Sequence, residues 1–229
     1  MEMNVAGVKM EEDNVTMIQS FIFFGVETTS LPKGLSLPKL TEIALLAVSR
    51  MSLCQSKGVP PEFTQELVIP VNPSVKIPAM VSLLTGLFNN ELEGVPPFND
   101  NTYTLLMKFI NSLVPPVCFV AHNGSQIQYP ILLHEAESIG KTLPEDILAI
   151  DTLNVFKHYF DKNSAASGSS LYMDFASAAL ESTDSASDKQ HTAEGDCLRI
   201  IKCLSQFADI FVAWADRNAV PITMFRKKD

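Results

Sequence analysis

Acidic side chains and histidines follow short apolar runs at several points of this chain. Glu27 comes after Phe21 to Phe24, a run of aromatic and β-branched residues that predicts a buried strand. A carboxylate at the end of a central strand is costly to bury without a cation or a hydrogen-bond donor. Glu27 is therefore predicted to be a metal ligand or, alternatively, a plain hydrogen-bond acceptor for neighbouring amides.

A second candidate is the hexapeptide from His191 to Asp196, at the start of a predicted amphipathic helix. With the histidine just ahead of the helix and the aspartate in its first turn, both side chains can face one pocket. The aspartate can hold a metal and the histidine can take a proton from water. The alternative is a helix N-terminus with Glu194 and Asp196 placed favourably for the helix dipole.

Two further polar residues stand at predicted strand ends. His122 ends the apolar segment that begins at Cys118, and Asp151 follows Ile147 to Ile150. In open α/β sheets, ligands bind at the edge where the strands end. Glu27, His122 and Asp151 are therefore expected along one such edge.

An α/β fold with a mixed sheet is needed to bring these side chains together. Strands are predicted at 20–26, 43–48, 63–70, 118–122 and 147–150. Helices are predicted at 79–84, 99–113, 129–139, 155–160, 171–180 and 191–214. The first three strands have no helical spacers, which predicts an antiparallel meander. Residues 43–48 are also compatible with a helix, since Ala and Leu favour helices, but their β-rich surroundings favour a strand.

Composition predicts one intracellular domain. The 229 residues are 46% hydrophobic but contain no apolar run of about 18 residues, so no membrane-spanning helix is expected. The four cysteines show no Cys-x-x-Cys spacing and are expected to be reduced thiols of a cytoplasmic or nuclear protein. The predicted parts are a flexible acidic segment 1–17, a domain 18–216 and a solvated tail 217–229 that contains Arg226, Lys227 and Lys228.

The net charge of −9 argues against broad polyanion binding but is compatible with a local site for a nucleic-acid end.

The stretch FIFFGVETTSLP resembles the first motif of the DEDDh 3′→5′ exonucleases, Asp-x-Glu-Thr/Ala-Thr-Gly-Leu-Pro. Glu27 and Leu31 match this motif. Gly25 stands where the family has the aspartate that both of its metals share. HTAEGD resembles the last motif of the TREX (three-prime repair exonuclease) branch, in which the histidine, here His191, is the general base and the aspartate, here Asp196, binds metal.

The segment from Val120 to Pro130 resembles the middle motif of the same family. His-Asn-Gly is retained, but Gln128 takes the place of an aspartate. Glutamine offers only a neutral carbonyl oxygen and is a poor substitute for an anion at a hard divalent metal. By resemblance, the nucleic-acid-binding residues are Leu31, Thr85, Gly86, Leu87, His122 and Asn123.

The resemblance implies an RNase H-like exonuclease fold, with a mixed five-stranded sheet flanked by helices, and hydrolysis of DNA by two Mg²⁺ or Mn²⁺ ions. Of the four acids in the family's metal site, this chain keeps Glu27 and Asp196. It is therefore interpreted as a TREX-like homologue that is inactive or strongly weakened and that binds nucleic-acid 3′ ends or a protein partner. Any bound metal is expected to be Mg²⁺ or Mn²⁺.

Two alternatives stay open. One is an active exonuclease in which Asp151 or Glu194 completes an altered metal site. The other is a protein-interaction scaffold without a nucleic-acid role. Affinity for single-stranded DNA is expected to be low, because the loop 161–170 carries only Lys162 where some family members have an arginine-rich loop. By resemblance, a homodimer is expected through the strand at 63–70.

Overall fold

A six-stranded mixed sheet forms the centre of the structure, a computed structural model that describes residues 17–30, 36–158 and 192–227. The spatial order of the strands is β3-β2-β1-β4-β5-β6. Their bounds are β1 Ser20–Thr28, β2 Leu40–Ser49, β3 Gln65–Pro70, β4 Val117–Ala121, β5 Leu148–Asp151 and β6 Val220–Pro221. The first three strands form the predicted antiparallel meander, and β4 and β5 run parallel to β1.

Helices cover both faces of this sheet. They are α1 Arg50–Gln55, α2 Ala79–Thr85, α3 Asn89–Leu92, α4 Asp100–Asn111, α5 Tyr129–Ser138, α6 Thr152–Phe156, α7 Ala193–Leu204 and α8 Ala208–Asn218. A π-helix spans Gly124–Gln128, and 3₁₀ turns span Ser205–Phe207 and Ile222–Phe225.

The side chains of β1 alternate between two hydrophobic cores. Ile22 and Phe24 pack on the face covered by α4 and α5, whereas Phe21 and Phe23 pack on the face covered by α7 and α8. Both faces of β2 are buried from Leu40 to Val48, which explains its continuous apolar run. Because side chains alternate along a strand, Gly25 and Glu27 share the α7 face with Phe23.

The C-terminal part of the chain departs from two sequence predictions, the tail at 217–229 and the single helix at 191–214. Residues 217–229 are not a tail from their start, because Asn218 ends α8, β6 pairs with β5 and Ile222 is fully buried. This pairing makes the sheet six-stranded instead of five-stranded. A two-residue strand is too short to show an alternating pattern, so the sequence gives no signal for it.

The helix predicted at 191–214 is divided in two at Ser205. The carbonyl oxygen of Ser205 accepts hydrogen bonds from the Gly58 backbone N–H at 2.9 Å and the Ser56 hydroxyl at 3.3 Å. These contacts dock the turn after α1 at the point where the helix is interrupted. The apolar residues keep their helical spacing through the interruption, and for this reason the sequence predicts a single helix over 191–214.

The predicted third strand is confirmed, and it lies at the edge of the sheet. Among the described residues, no helix is both long and apolar enough to cross a membrane. Several predictions concern residues outside the described ranges: the segment 1–16, Leu31, the loop 161–170, the helix 171–180 and His191.

Candidate active site

Glu27 lies near the end of β1, opposite Glu42 of β2 in the strand register. Burial raises the pKa of the Glu27 carboxyl to about 8, and the nearby carboxylates of Asp196 and Glu42 add to this effect. Arg199 acts in the opposite direction but does not compensate. With a pKa of about 8, the Glu27 side chain is largely protonated and neutral near pH 7.

Asp196 lies in the first turn of α7, as predicted, and is joined there by a cation from its own helix. Its carboxylate forms an ion pair with Arg199, three residues further on. The electrostatic effects of Asp196 on Glu27 and on His122 place all three side chains around one site. The structure thus brings three predicted residues together and adds Arg199, which the sequence prediction did not include.

Glu42 holds the N-terminus of α7 against the sheet. Its carboxylate accepts a hydrogen bond from the Ala193 backbone N–H at 3.0 Å, and the Thr192 hydroxyl accepts one from Gly195 N–H at 3.0 Å. Burial raises the pKa of Glu42, while the bond from Ala193 opposes that shift. The sequence signal for this role is an acidic residue at the start of a buried strand.

Gly25 is the point where α7 comes closest to β1. A Cβ atom built on Gly25 would lie 2.3 Å from the carbonyl oxygen of Ala193 and 3.1 Å from the sulfur of Cys197. The Cys197 sulfur also contacts the Phe23 carbonyl oxygen at 3.3 Å. The backbone of α7 therefore occupies the space into which an aspartate side chain at position 25 would extend.

Gln128 closes the loop after β4. Its Nε2 donates a hydrogen bond to the His122 carbonyl oxygen at 2.8 Å, across the π-helix that ends at Gln128. Its Oε1 is buried and has no hydrogen-bond donor among the described residues. An aspartate cannot donate a hydrogen bond in this way when it is ionised. Gln128 thus has a structural role that the family's aspartate could not perform.

His122 and Asp151 lie on neighbouring strand ends, as predicted. The Nδ1 of His122 is 2.9 Å from the Thr152 hydroxyl oxygen, and burial lowers the pKa of the imidazole. Asp151 is buried, and its carboxylate accepts hydrogen bonds from Ser125 N–H at 3.0 Å, Ser125 O–H at 2.6 Å and Leu153 N–H at 3.0 Å. Asp151 therefore caps α6 and anchors the loop after β4.

The predicted segment for the 3′ end lies at the C-terminus of α2. The Thr85 hydroxyl is buried and used locally, since it donates to the Val81 carbonyl oxygen and accepts from Leu87 N–H. Gly86 is exposed and adopts a left-handed conformation with φ of 73°. Leu87 is half-buried. Gly86 and Leu87 are thus accessible to solvent, whereas the threonine hydroxyl is buried and already bonded within the segment. Asn123 also has a left-handed conformation, with φ of 55°.

The described residues do not fit a two-metal centre. Position 25 has no side chain, and Gln128 offers a single neutral oxygen. The carboxylate of Asp196 is paired with Arg199, and that of Glu42 holds α7. Within the described ranges, no group of three or more His, Cys, Asp or Glu side chains could hold a metal ion.

No protein-family model matches the chain. It is 30% identical over 212 residues to three prime repair exonuclease 2 from Mus musculus, covering 88% of this chain and 89% of that protein. It is 31% identical over 222 residues to three-prime repair exonuclease 1 from Homo sapiens, covering 91% of this chain and 70% of that protein.

Solved structures confirm the predicted RNase H-like α/β fold. The nuclease domain of 3′hExo, a DEDDh family member bound to rAMP, superposes with a TM-score of 0.61 at 8% identity, over 84% of this chain and 92% of that chain. A 3′-exonuclease in a structure of 3′-end-specific recognition of a histone mRNA stem-loop has a TM-score of 0.62 at 9% identity, over 85% and 83% of the chains. The fold agrees with the sequence identities of 30% and 31% above, which show that this chain belongs to the three-prime repair exonuclease family.

Proposed function

We propose that this chain binds nucleic-acid 3′ ends without hydrolysing them. The observation that carries the proposal is the contact at Gly25, where an added Cβ would lie 2.3 Å from the backbone oxygen of Ala193. The start of α7 thus lies where the side chain of an aspartate at this position would extend. A metal ligand cannot return there unless the helix is displaced.

Charge at the site supports the same conclusion. Two closely spaced dications are stabilised by several carboxylates, and two of the family's four acids are replaced here by Gly25 and Gln128. The Arg199 guanidinium, which is permanently positive, forms an ion pair with the carboxylate of Asp196, one of the two acids that remain. A guanidinium in this position competes with a cation for the same oxygen atoms. Mg²⁺ or Mn²⁺ is therefore not expected to bind as a catalytic pair.

Binding of a 3′ end needs no metal, because stacking and backbone contacts supply the affinity. Several large apolar side chains are exposed around Gly86 and Leu87, on and beside α2. They are Met80, Leu83, Leu84 and Phe88. An exposed apolar surface next to a glycine with an open backbone can accommodate the face of a terminal base. The family's segment for the 3′ end thus retains a usable surface in this chain.

The test has a catalytic part and a binding part. A 3′-labelled single-stranded oligonucleotide is incubated with Mg²⁺ or Mn²⁺, using the wild-type chain and His191→Ala as the control for a contaminating nuclease. We expect no cleavage above that control. Cleavage by the wild type that is lost in His191→Ala would show an active exonuclease, and Asp151 and Glu194 would then be the first acids to substitute.

The binding part compares a linear single strand with a circular one of the same length. We expect the linear strand to bind more tightly and Leu87→Ala to remove that preference. Leu105→Ala is the matched control, since Leu105 is an exposed leucine on α4. Equal binding of linear and circular strands would contradict recognition of an end. No binding of either would favour the protein-interaction scaffold.

We also propose that the chain acts inside the cell as a homodimer joined through β3. The position of β3 at the sheet edge leaves one side of this strand without a neighbouring strand in the described structure, and Val68 on it is exposed. Val68→Lys is expected to shift the mass measured by light scattering from dimer to monomer. A wild-type chain that is monomeric at all concentrations would contradict this assembly.

A further inference from the structure

A basic groove lies between α5, the segment before β2 and the C-terminal residues. It has a volume of about 470 Å³, and its lining includes three cationic side chains, Lys39, Arg226 and Lys227. The carboxylate of Glu137 also lines the groove and is paired with Arg226. The groove therefore carries an excess of positive charge on a chain whose net charge is −9.

Two of these cations have no acidic partner among the described residues. In the part of the chain that the structure describes, neither Lys39 nor Lys227 forms an ion pair, in contrast to Arg226. Lys39 is exposed and Lys227 is half-buried. Two ammonium groups that line one groove give it a positive potential, which attracts anions. The arrangement therefore points to an anionic ligand.

The floor of the groove is apolar. Pro130 and Leu133 of α5 are buried in it, and Leu37 is half-buried at its side. His134 adds an exposed imidazole ring to the lining. A volume in this range accommodates a nucleotide-sized group. Cations, an aromatic ring and apolar side chains in one lining suit phosphates and bases together, whereas a string of carboxylates would use only the cations.

The groove borders the candidate active site through two backbone connections. Two hydrogen bonds join Lys39 to Thr29, which lies two residues beyond Glu27. The Thr29 N–H donates to the Lys39 carbonyl oxygen at 2.9 Å, and the Lys39 N–H donates to the Thr29 hydroxyl oxygen at 3.2 Å. Pro130 lies two residues beyond Gln128 on the same continuous helical segment. These connections place the groove beside the segments that follow Glu27 and Gln128.

We propose that this groove binds the phosphodiester backbone of the single strand upstream of its 3′ end, with Lys39 and Lys227 contacting phosphates. The inference rests on the proposed 3′-end binding and adds the path of the strand. It also supplies phosphate contacts that the loop 161–170, with Lys162 as its one cation, does not carry.

The test measures the salt dependence of binding by fluorescence anisotropy, using a 5′-labelled linear strand. Lys39→Glu/Lys227→Glu is compared with Lys57→Glu/Arg217→Glu, which changes the net charge equally. Arg217 is an exposed residue of α8, and Lys57 is exposed in the turn that docks at Ser205 just before α8, so both lie on the opposite face of the sheet. Each phosphate contact contributes about −0.7 to the slope of log K against log salt for single strands.

We expect Lys39→Glu/Lys227→Glu, the groove variant, to bind about tenfold more weakly than the wild type at about 50 mM salt. The magnitude of its slope of log K against log salt should fall by about 1.4, whereas Lys57→Glu/Arg217→Glu, the control variant, should keep the wild-type slope. Lys39→Gln/Lys227→Gln, which removes the charges without reversing them, should show the same loss of slope with a smaller loss of affinity. The melting temperature of each variant shows whether the fold is retained.

Four outcomes would overturn the inference. Equal losses in the groove and control variants would assign the effect to net charge alone. An unchanged groove variant that still prefers linear over circular strands would refute the groove and leave 3′-end binding intact. A wild-type chain that binds no strand would refute both proposals. A poly-glutamate peptide that competes as well as an oligonucleotide of equal charge would assign the groove to an acidic protein.

Discussion

Replacing Gly25 by alanine tests directly whether α7 fills the space of a lost aspartate. The added methyl group would lie 2.3 Å from the carbonyl oxygen and 3.0 Å from the carbonyl carbon of Ala193. Ordinary van der Waals contact begins near 3.4 Å, so α7 must move by about 1 Å. The contacted atoms belong to the backbone, and the start of α7 is held by Glu42 and Thr192. A rotamer change therefore cannot relieve the contact.

Two effects of opposite sign determine the change in the free energy of unfolding. Alanine in a strand is favoured over glycine by roughly 0.5–1 kcal/mol, because the unfolded chain has less backbone freedom to lose. Inserting a methyl group into a tightly packed contact costs about 1–3 kcal/mol. The steric cost is expected toward the upper end, since two bonds at the start of α7 are strained together. We expect a net destabilisation of about 1–2 kcal/mol, or roughly 2–8 °C in melting temperature.

Thermal and urea unfolding of Gly25→Ala measure this change, and Gly94→Ala is the matched control. A Cβ at Gly94 would have no neighbour within 4 Å, so that variant should be as stable as the wild type or slightly more stable. If Gly25→Ala proved as stable as Gly94→Ala, α7 would be free to move. The central argument against a metal site at Gly25 would then be wrong.

Two further predictions concern charged groups. The folded-state pKa of Glu27, about 8, exceeds its ordinary value of 4.5, so the folded chain holds a proton that the unfolded chain releases, and stability falls as pH rises from about 4.5 to 8. The free energy of unfolding of Glu27→Gln should equal that of the wild type near pH 4.5. Above about pH 8 it should be higher by about 2–3 kcal/mol, after allowance for the partial exposure of the side chain. A difference in stability that stays constant between these pH values would refute this. Asp216→Asn should lower the free energy of unfolding in urea by about 2–4 kcal/mol. The reason is that Asp216 accepts two hydrogen bonds from Arg50 at 2.8 Å and one from Ile18 N–H at 3.0 Å. The control is Lys141→Met at the exposed Lys141–Asp100 pair, which should lower it by less than about 1 kcal/mol. Equal costs would show that the Arg50–Asp216 pair behaves as a surface pair.

Five of the six strands of the central sheet could be predicted from sequence because each of the five carries a local signal. The apolar runs of β1, β2 and β4 are buried on both faces, and β3 shows clean alternation between half-buried and exposed residues. β6 has no such signal, since its two residues are fixed by pairing with β5 rather than by their own pattern. The break at Ser205 is likewise caused by a docked loop from another part of the chain.

The positions of the candidate site could also be predicted, but the contacts made by the replacements could not. The resemblance to the family's motifs places Gly25 and Gln128 where two acids are expected, which predicts missing ligands and nothing more. The approach of α7 to Gly25 and the hydrogen bond from Gln128 to the His122 carbonyl depend on tertiary packing. Arg199 could have been anticipated, because residues three apart on a helix are neighbours and an Asp–Arg pair at that spacing is favourable.

These contacts predict that restoring both acids will not rebuild the metal site. In Gly25→Asp/Gln128→Asp, the Cβ atom of the new aspartate at position 25 would clash with the backbone carbonyl of Ala193. Because the contacted atoms belong to the backbone, a change of side chain at Ala193 would not remove the clash. The second loses the donor to the His122 carbonyl and places a carboxylate against it, at a cost of about 1–3 kcal/mol. We expect a less stable chain with no Mg²⁺-dependent cleavage and no rise in melting temperature with Mg²⁺. Cleavage that requires Mg²⁺ and His191 in this double variant would instead show that the chain lacks only its ligands. Without such cleavage, the two replacements are parts of a repacked site whose surroundings have closed around them.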